Sequence, residues 1–182
     1  MHIGFVVNPI AGIGGTVGLK GSDGVVEAAR TRGGTPRAPP RAVRFIDAAA
    51  PLLDTVQITT VGGAMGAEYL PVGAEATVCA TPPSPTDASD TTAAVRRFAD
   101  LGVDLIVFVG GDGTAVDVAS GIRDTEVPLL GVPAGVKIYS GVFASTPEAA
   151  AQIIDAGFDT VEAEVLDRPQ GSGRTPAPIE LQ

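Results

Sequence analysis

The chain has 182 residues, a single cysteine, and 21 acids against 12 lysines and arginines, for a net charge of −9. That acidic balance argues against nucleic acid as the main partner, and the lone Cys79 excludes an internal disulfide. At 45% hydrophobic residues a packed core is feasible, yet no apolar run approaches the roughly 18 residues of a membrane span, so the length fits one domain with a tail, or one domain with a fragment of another.

Ile3–Val7 reads as a first strand, with no basic segment before it of the kind a signal peptide needs. Together with the cysteine usage this gives the expectation of a cytoplasmic protein. A glycine-dense stretch, Gly12–Gly24, follows Asn8-Pro9-Ile10-Ala11 and is expected to form neither helix nor sheet. It reads as a ligand loop because it follows a buried strand and carries Lys20. Two familiar phosphate motifs are excluded here. A Walker A needs Gly before the lysine, where Leu19 stands, and a Rossmann fingerprint needs Gly where Val17 stands.

A short helix is expected over Val25–Arg32, stopped by Gly33-Gly34, then a proline-rich connector over Thr35–Pro40. Arg41–Leu53 is apolar-periodic through Val43, Ile46, Ala50 and Leu53, an amphipathic helix. Residues 28–46 hold five arginines and no acid, leaving −14 on the remainder. The arginines of the 41–53 helix, Arg41 and Arg44, read as a solvated face, or as a funnel for an anionic ligand.

Val56–Val61 is the second strand, Gly62–Gly66 a glycine turn opening a short helix to Leu70, and Ala76–Ala80 a third strand that buries Cys79. Thr86 or Asp87 caps a helix to Leu101. Asp90 and Thr91 in its first turns are open to two readings, complementing the helix dipole or contacting a ligand.

Val103–Val109 is short, β-branched and aromatic, a buried parallel strand. Gly110-Gly111-Asp112-Gly113-Thr114 then reads as a tight turn, with a helix from Ala115 to Ile122. Strand, glycine turn and helix is where α/β proteins hold phosphates on bare N–H groups. A carboxylate is a poor phosphate ligand, so Asp112 needs a role of its own, as a base or a metal-organising group. Val127–Val132 is a further strand, residues 133–141 another ligand-type loop with Gly135 and Lys137, and Thr146-Pro147-Glu148 starts a helix. Asp159–Leu166 alternates apolar and acidic residues, as an edge strand or one leading out of the domain, and the tail from Arg168 reads as disordered.

The βα repeats predict an α/β fold: a mostly parallel sheet with helices on both faces. In such a sheet every strand-to-helix loop lies at the carboxyl edge. The glycine-rich loops at 8–24, 62–66, 110–114 and 133–141 should therefore line one cleft. His2 is the only histidine, so neither a nucleophilic triad nor a Cys/His zinc cluster is available.

These motifs resemble a family. Gly110–Thr114 after a buried strand is similar to the signature of NAD kinases, diacylglycerol and sphingosine kinases and, with a final Ser, phosphofructokinases. Asn8-Pro9-x-Ala11-Gly12 resembles the first-strand motif of the NAD and lipid kinases. With Gly14-Gly15, Gly18-Leu19-Lys20-Gly21 and Gly131–Lys137, residues 3–167 look like the ATP-NAD kinase-like group. The resemblance implies a phosphofructokinase-like α/β domain over 1–167. It implies transfer of the γ-phosphoryl of ATP, or of polyphosphate, to the ribose 2′-hydroxyl of NAD.

By the same resemblance Asp112 is the base or the group that orients the acceptor hydroxyl, and Gly110, Gly111, Gly113 and Thr114 hold phosphates. Asn8, Gly12, Gly14, Gly15 and Gly135 border the nucleotide, Lys20 and Lys137 neutralise charge, and Asp90 and Thr91 are substrate candidates. Mg²⁺ arrives with ATP, with no direct protein ligand set. Expected partners are small-molecule nucleotides, with no nucleic acid and no membrane; a homo-oligomer is left open. The family also carries a β-rich second domain, which nothing after residue 167 resembles. The expectation is therefore a truncated member whose activity alone is in question. The alternatives are a non-catalytic nucleotide-binding module and a lipid kinase domain.

Overall fold

The computed structural model describes residues 1–19, 24–123, 125–135, 138–159, 163–166 and 179–181, and the account below concerns these. Five strands form one fully parallel sheet: β1 His2–Val7, β2 Gln57–Val61, β3 Ala76–Ala80, β4 Leu105–Gly110 and β5 Leu129–Pro133, in the order β3-β2-β1-β4-β5. The helices are α1 Val26–Thr31, α2 Ala38–Leu53, α3 Ala88–Asp100, α4 Asp112–Gly121 and α5 Pro147–Ala156. This is the expected α/β architecture.

Strand alternation divides the core in two. Ile3, Phe5 and Val7 of β1 and Leu105, Val107 and Val109 of β4 point to α2 and α5, where Phe45, Ile46 and Ile154 meet them. Val6, Ile106 and Phe108 point the other way, onto α3 and α4. Both faces of the central strands are dry, which is why β4 reads as an unbroken apolar run. Phe5 stacks on Phe45 with centroids 5.7 Å apart. On the other face Phe98 lies so close to β1 that a Cβ at Gly4 would sit 2.6 Å from its ring.

Helix ends follow local chemistry. Asp87 caps α3 with a reciprocal capping box: its carboxylate accepts from Ser89 N, and Asp90 Oδ2 accepts from Asp87 N at 2.9 Å. Thr146 caps α5 by accepting from Ala149 N, with Pro147 first in the helix. Gly33, at φ +78°, ends α1 as expected.

Several expectations need correction. The connector ends at Arg37, because α2 begins at Ala38 with Pro39 and Pro40 inside its first turn, where no N–H is needed. Its buried stripe is Ala38, Ala42, Phe45, Ile46 and Ala49, while Val43 and Ala50 are exposed. Two apolar stripes compete on this helix, and the one bearing Phe45 wins. The Gly12–Gly24 stretch contains a 3₁₀ turn over Gly14–Val17. The turn after β2 continues as two 3₁₀ turns, Gly63–Met65 and Ala67–Tyr69, in place of a helix. Cys79 is only partly buried, because β3 is the outer strand of the sheet. His2 opens β1, its Nε2 2.7 Å from Thr59 Oγ1. Within the stretch read as leading out of the domain, β6 Ala163–Val165 pairs antiparallel with β7 Ile179–Leu181, away from the main sheet. Those three residues of the tail are therefore a strand. The rest of the tail lies outside the described residues.

Candidate active site

The strand order reverses between β1 and β4. β1 leads to β2 on one side, and β4 leads to β5 on the other. At such a point the outgoing loops diverge and leave a crevice at the carboxyl edge. Asn8 follows β1 directly and spans this crevice. Its Nδ2 donates to Thr114 Oγ1 at 3.0 Å, its Oδ1 accepts from Ile10 N at 3.2 Å, and its own N–H donates to Val109 O at 3.0 Å. Thr114 is buried.

The glycine turn is shorter than its composition suggests. Gly111 is the residue before α4, and Asp112, Gly113 and Thr114 form the first turn of the helix. Asp112 therefore sits at a helix N-terminus, where a carboxylate is electrostatically favoured. That supplies part of the separate reason its charge requires. The rest comes from the strap after β5. Asp112 Oδ1 accepts from Ser140 Oγ at 2.6 Å and from Ser140 N at 2.9 Å. Tyr139 N donates to both carboxylate oxygens, at 3.2 Å to Oδ1 and 3.0 Å to Oδ2. A carboxylate offers about four acceptor positions, so among the described contacts Oδ2 keeps room for another donor.

Three of the four glycine-rich loops meet here. Ala134 N donates to Gly110 O at 2.8 Å. A Cβ on Gly111 would lie 3.9 Å from Gly135 Cα. Gly12 has φ +80°, and a Cβ there would run into Ala134 O. A Cβ at Gly110 would collide with Thr114. Glycine at 12 and 110 is thus a condition for bringing the three backbones together. The fourth loop does not join them. Gly66 packs over Thr60 and Phe5 O, on the β1–β2 side.

The remaining candidates are distributed as follows. Gly113 lies in the first turn of α4, and Gly14 and Gly15 in the 3₁₀ turn beyond Gly12. Lys20 and Lys137 lie outside the described residues. Asp90 is half of the α3 capping box, and Thr91 is buried in the face α3 packs inward. Both therefore have structural duties. Arg37, the last residue before α2, packs its stem against the loop: a Cβ on Gly12 would be 2.9 Å from Arg37 Cβ, and Arg37 N donates to Ala11 O at 2.9 Å. Nothing local in the sequence links Arg37 to Gly12. Of the other arginines in the basic segment, Arg44 pairs with Glu148 of α5 through two bonds of 2.8 and 2.9 Å, and Arg30 lies 3.6 Å from Glu27.

No cluster of three His, Cys, Asp or Glu side chains suited to a metal occurs among the described residues. A cavity of about 230 Å³ lies elsewhere, beside β5, lined by Val127, Leu129, Val142 and Phe143 among others. Its lining is mostly apolar, with Thr125 and Asp159 among it, and the groups converging on Asp112 are not in it. Among the described residues no helix is long and apolar enough to cross a membrane.

A three-layer α/β domain with glycine turns gathered at its switch point defines the class of protein. The family is narrower: the chain belongs to the ATP-NAD kinase N-terminal domain family, whose model matches residues 3–160. No curated protein matches. Among solved structures, a diacylglycerol kinase from Bacillus anthracis str. Sterne is similar at 21% identity and a TM-score of 0.47, over 88% of this chain and 44% of that one. A putative diacylglycerol kinase from the same organism gives 21% and 0.48, over 88% and 43%. The chain thus spans less than half the length of these structures.

Proposed function

We propose that the crevice between β1 and β4 binds the phosphates of a nucleotide, and that the chain is the phosphate-handling domain of a phosphotransferase with NAD as acceptor. One observation carries this reading: the turns at Gly12, Gly110–Gly111 and Ala134–Gly135 close around Asp112 at the point where the sheet order reverses. Close backbone approach without side chains is what a polyphosphate requires. Membership of the ATP-NAD kinase N-terminal domain family supports ATP and NAD as the partners; polyphosphate is the alternative donor.

In the proposed reaction the ribose 2′-hydroxyl oxygen attacks the γ-phosphorus. The bond from that phosphorus to the β–γ bridging oxygen breaks, ADP leaves, and Asp112 takes the hydroxyl proton. Asn8 fixes Thr114, and Gly110, Gly111, Gly113 and Thr114 present the start of α4 to the phosphates. Gly14 and Gly15 border the nucleotide beyond Gly12. Arg37, Lys20 and Lys137 supply positive charge, and Mg²⁺ comes with the nucleotide and neutralises phosphate charge. Such chemistry rests on positioning and charge neutralisation more than on covalent catalysis.

The test is transfer of label from γ-labelled ATP by the 182-residue chain, with NAD and with diacylglycerol vesicles offered separately, beside an Asp112→Asn variant. Labelled NADP formed by the parent and lost in the variant is the expected result. Label in the lipid points to a lipid kinase, and ATP binding without transfer to a binding module. Transfer undiminished in the variant rules out Asp112 as the base.

A further inference from the structure

Asp112 is held by a hydroxyl that also holds something else. Ser140 is buried, and its Oγ lies 2.6 Å from Asp112 Oδ1, 2.9 Å from Leu166 N and 3.3 Å from Leu166 O. Leu166 directly follows β6. The next residue of the strap repeats the tie, with Gly141 N donating to Glu164 O at 2.9 Å. Val165, between the two ties, is buried against the α3–α4 layer. The strap of residues 139–141 therefore grips the start of α4 on one side and β6 on the other.

We propose that Ser140 is a positioning residue that couples Asp112 to β6, so that the seating of β6 sets the orientation of the carboxylate. The proposal deepens the kinase reading and rests on it only for its consequence in catalysis. A serine hydroxyl has one proton to donate and two lone pairs to receive. One lone pair takes Leu166 N–H. The proton has two available acceptors, and the 2.6 Å contact with a charged oxygen is the stronger. When Asp112 takes up the substrate proton its oxygen becomes a weaker acceptor, and the Ser140 proton is free to turn to Leu166 O. When β6 is displaced, Ser140 loses its amide donor and Asp112 loses an anchor that fixes its rotamer. Among the described contacts Asp112 and Leu166 share no direct hydrogen bond, so the coupling between them runs through the strap.

Amide hydrogen exchange on the full chain tests the coupling without reference to activity. Ser140→Ala is expected to speed exchange at Leu166 roughly ten- to a hundredfold, the scale of one lost bond to a well-placed partner. Asp112→Ala, which does not touch Leu166, is expected to speed the same amide, while Val107 in the sheet centre keeps its parent rate in both variants. A Leu166 rate indifferent to Asp112→Ala overturns the proposal. In the labelled-ATP assay Ser140→Thr is expected to keep a higher kcat than the nearly isosteric Ser140→Val, with KM for ATP little changed. Equal kcat values for the two, or a loss confined to KM, overturn the positioning role. A parent chain that transfers no phosphoryl group counts against the kinase reading, and the exchange rates still decide whether Ser140 couples Asp112 to β6.

Discussion

Asn8 and Thr114 lie 106 residues apart and meet across the switch point, Nδ2 to Oγ1 at 3.0 Å. The bond ties the loop leaving β1 to the first turn of α4. Asn8→Ala removes it together with the support for Ile10 N. The expected cost is about 1–2 kcal/mol, because the buried Thr114 loses its side-chain donor. Urea denaturation measures it, and ATP affinity should fall in parallel. A variant with parent stability and parent affinity would remove Asn8 from the account.

Gly12 and Gly18 give a contrast between two left-handed glycines. Both have φ near the left-handed region, at +80° and +73°, but only Gly12 is crowded; around Gly18 there is open space. Gly18→Ala should cost about 1 kcal/mol, the conformational penalty alone. Gly12→Ala should cost about 3 kcal/mol or more, because the β5 loop must also move. Equal denaturation midpoints for the two variants would show that the close approach at Ala134 does not constrain the loop.

Acid should loosen α3 and the α2–α5 pair at the same time. The Ser89 hydroxyl and amide hold the Asp87 carboxyl below its ordinary value, and the Arg44 guanidinium does the same for Glu148. A depressed carboxyl contributes stability that is fully present above its unfolded value, about pH 4. That contribution is lost as pH falls through the lower folded value. Asp87→Ala and Glu148→Gln should therefore lower Tm at pH 7, and the difference from the parent should shrink as the pH drops below about 4. A Tm difference that stays constant down to pH 2 would contradict both assignments.

Arg37 tests the charge complement of the crevice. Arg37→Ala is expected to weaken ATP binding about tenfold, on the scale of one charge-assisted contact, with little change in Tm. Calorimetric titration at two salt concentrations measures it, and the parent should show the steeper salt dependence. Unchanged affinity would remove Arg37 from the charge complement of the crevice.

Much of the fold was legible because its strands carry their own signals. β1, β4 and β5 are short apolar runs bounded by glycine or proline, and Thr146-Pro147 marks the start of α5 unaided. The family was legible from Asn8 and Gly110–Thr114 for the same local reason. What escaped was set by distant contacts. Gly-Gly-Asp-Gly-Thr has a turn's composition, and nothing in it reveals that a strap 27 residues later holds Asp112 at a helix start. Ser140 sat inside a loop already singled out, but a lone hydroxyl carries no signal of its partners. The phase of α2 turned on which apolar stripe meets Phe5, a packing question that periodicity leaves open. The convergence of all four loops was too strong an expectation, because a shared sheet edge fixes a side of the molecule and not a meeting point.

The turns around Asp112 are proposed to form a nucleotide phosphate site. Backbone amide NMR of the chain during titration with Mg²⁺ and ATP tests this most directly. The largest shifts are expected at Gly12, Gly110, Gly111, Gly113, Thr114 and Gly135. Shifts confined to the cavity beside β5, around Val127–Leu130 and Val142–Ala144, or no shifts at millimolar ATP, would contradict the proposed site.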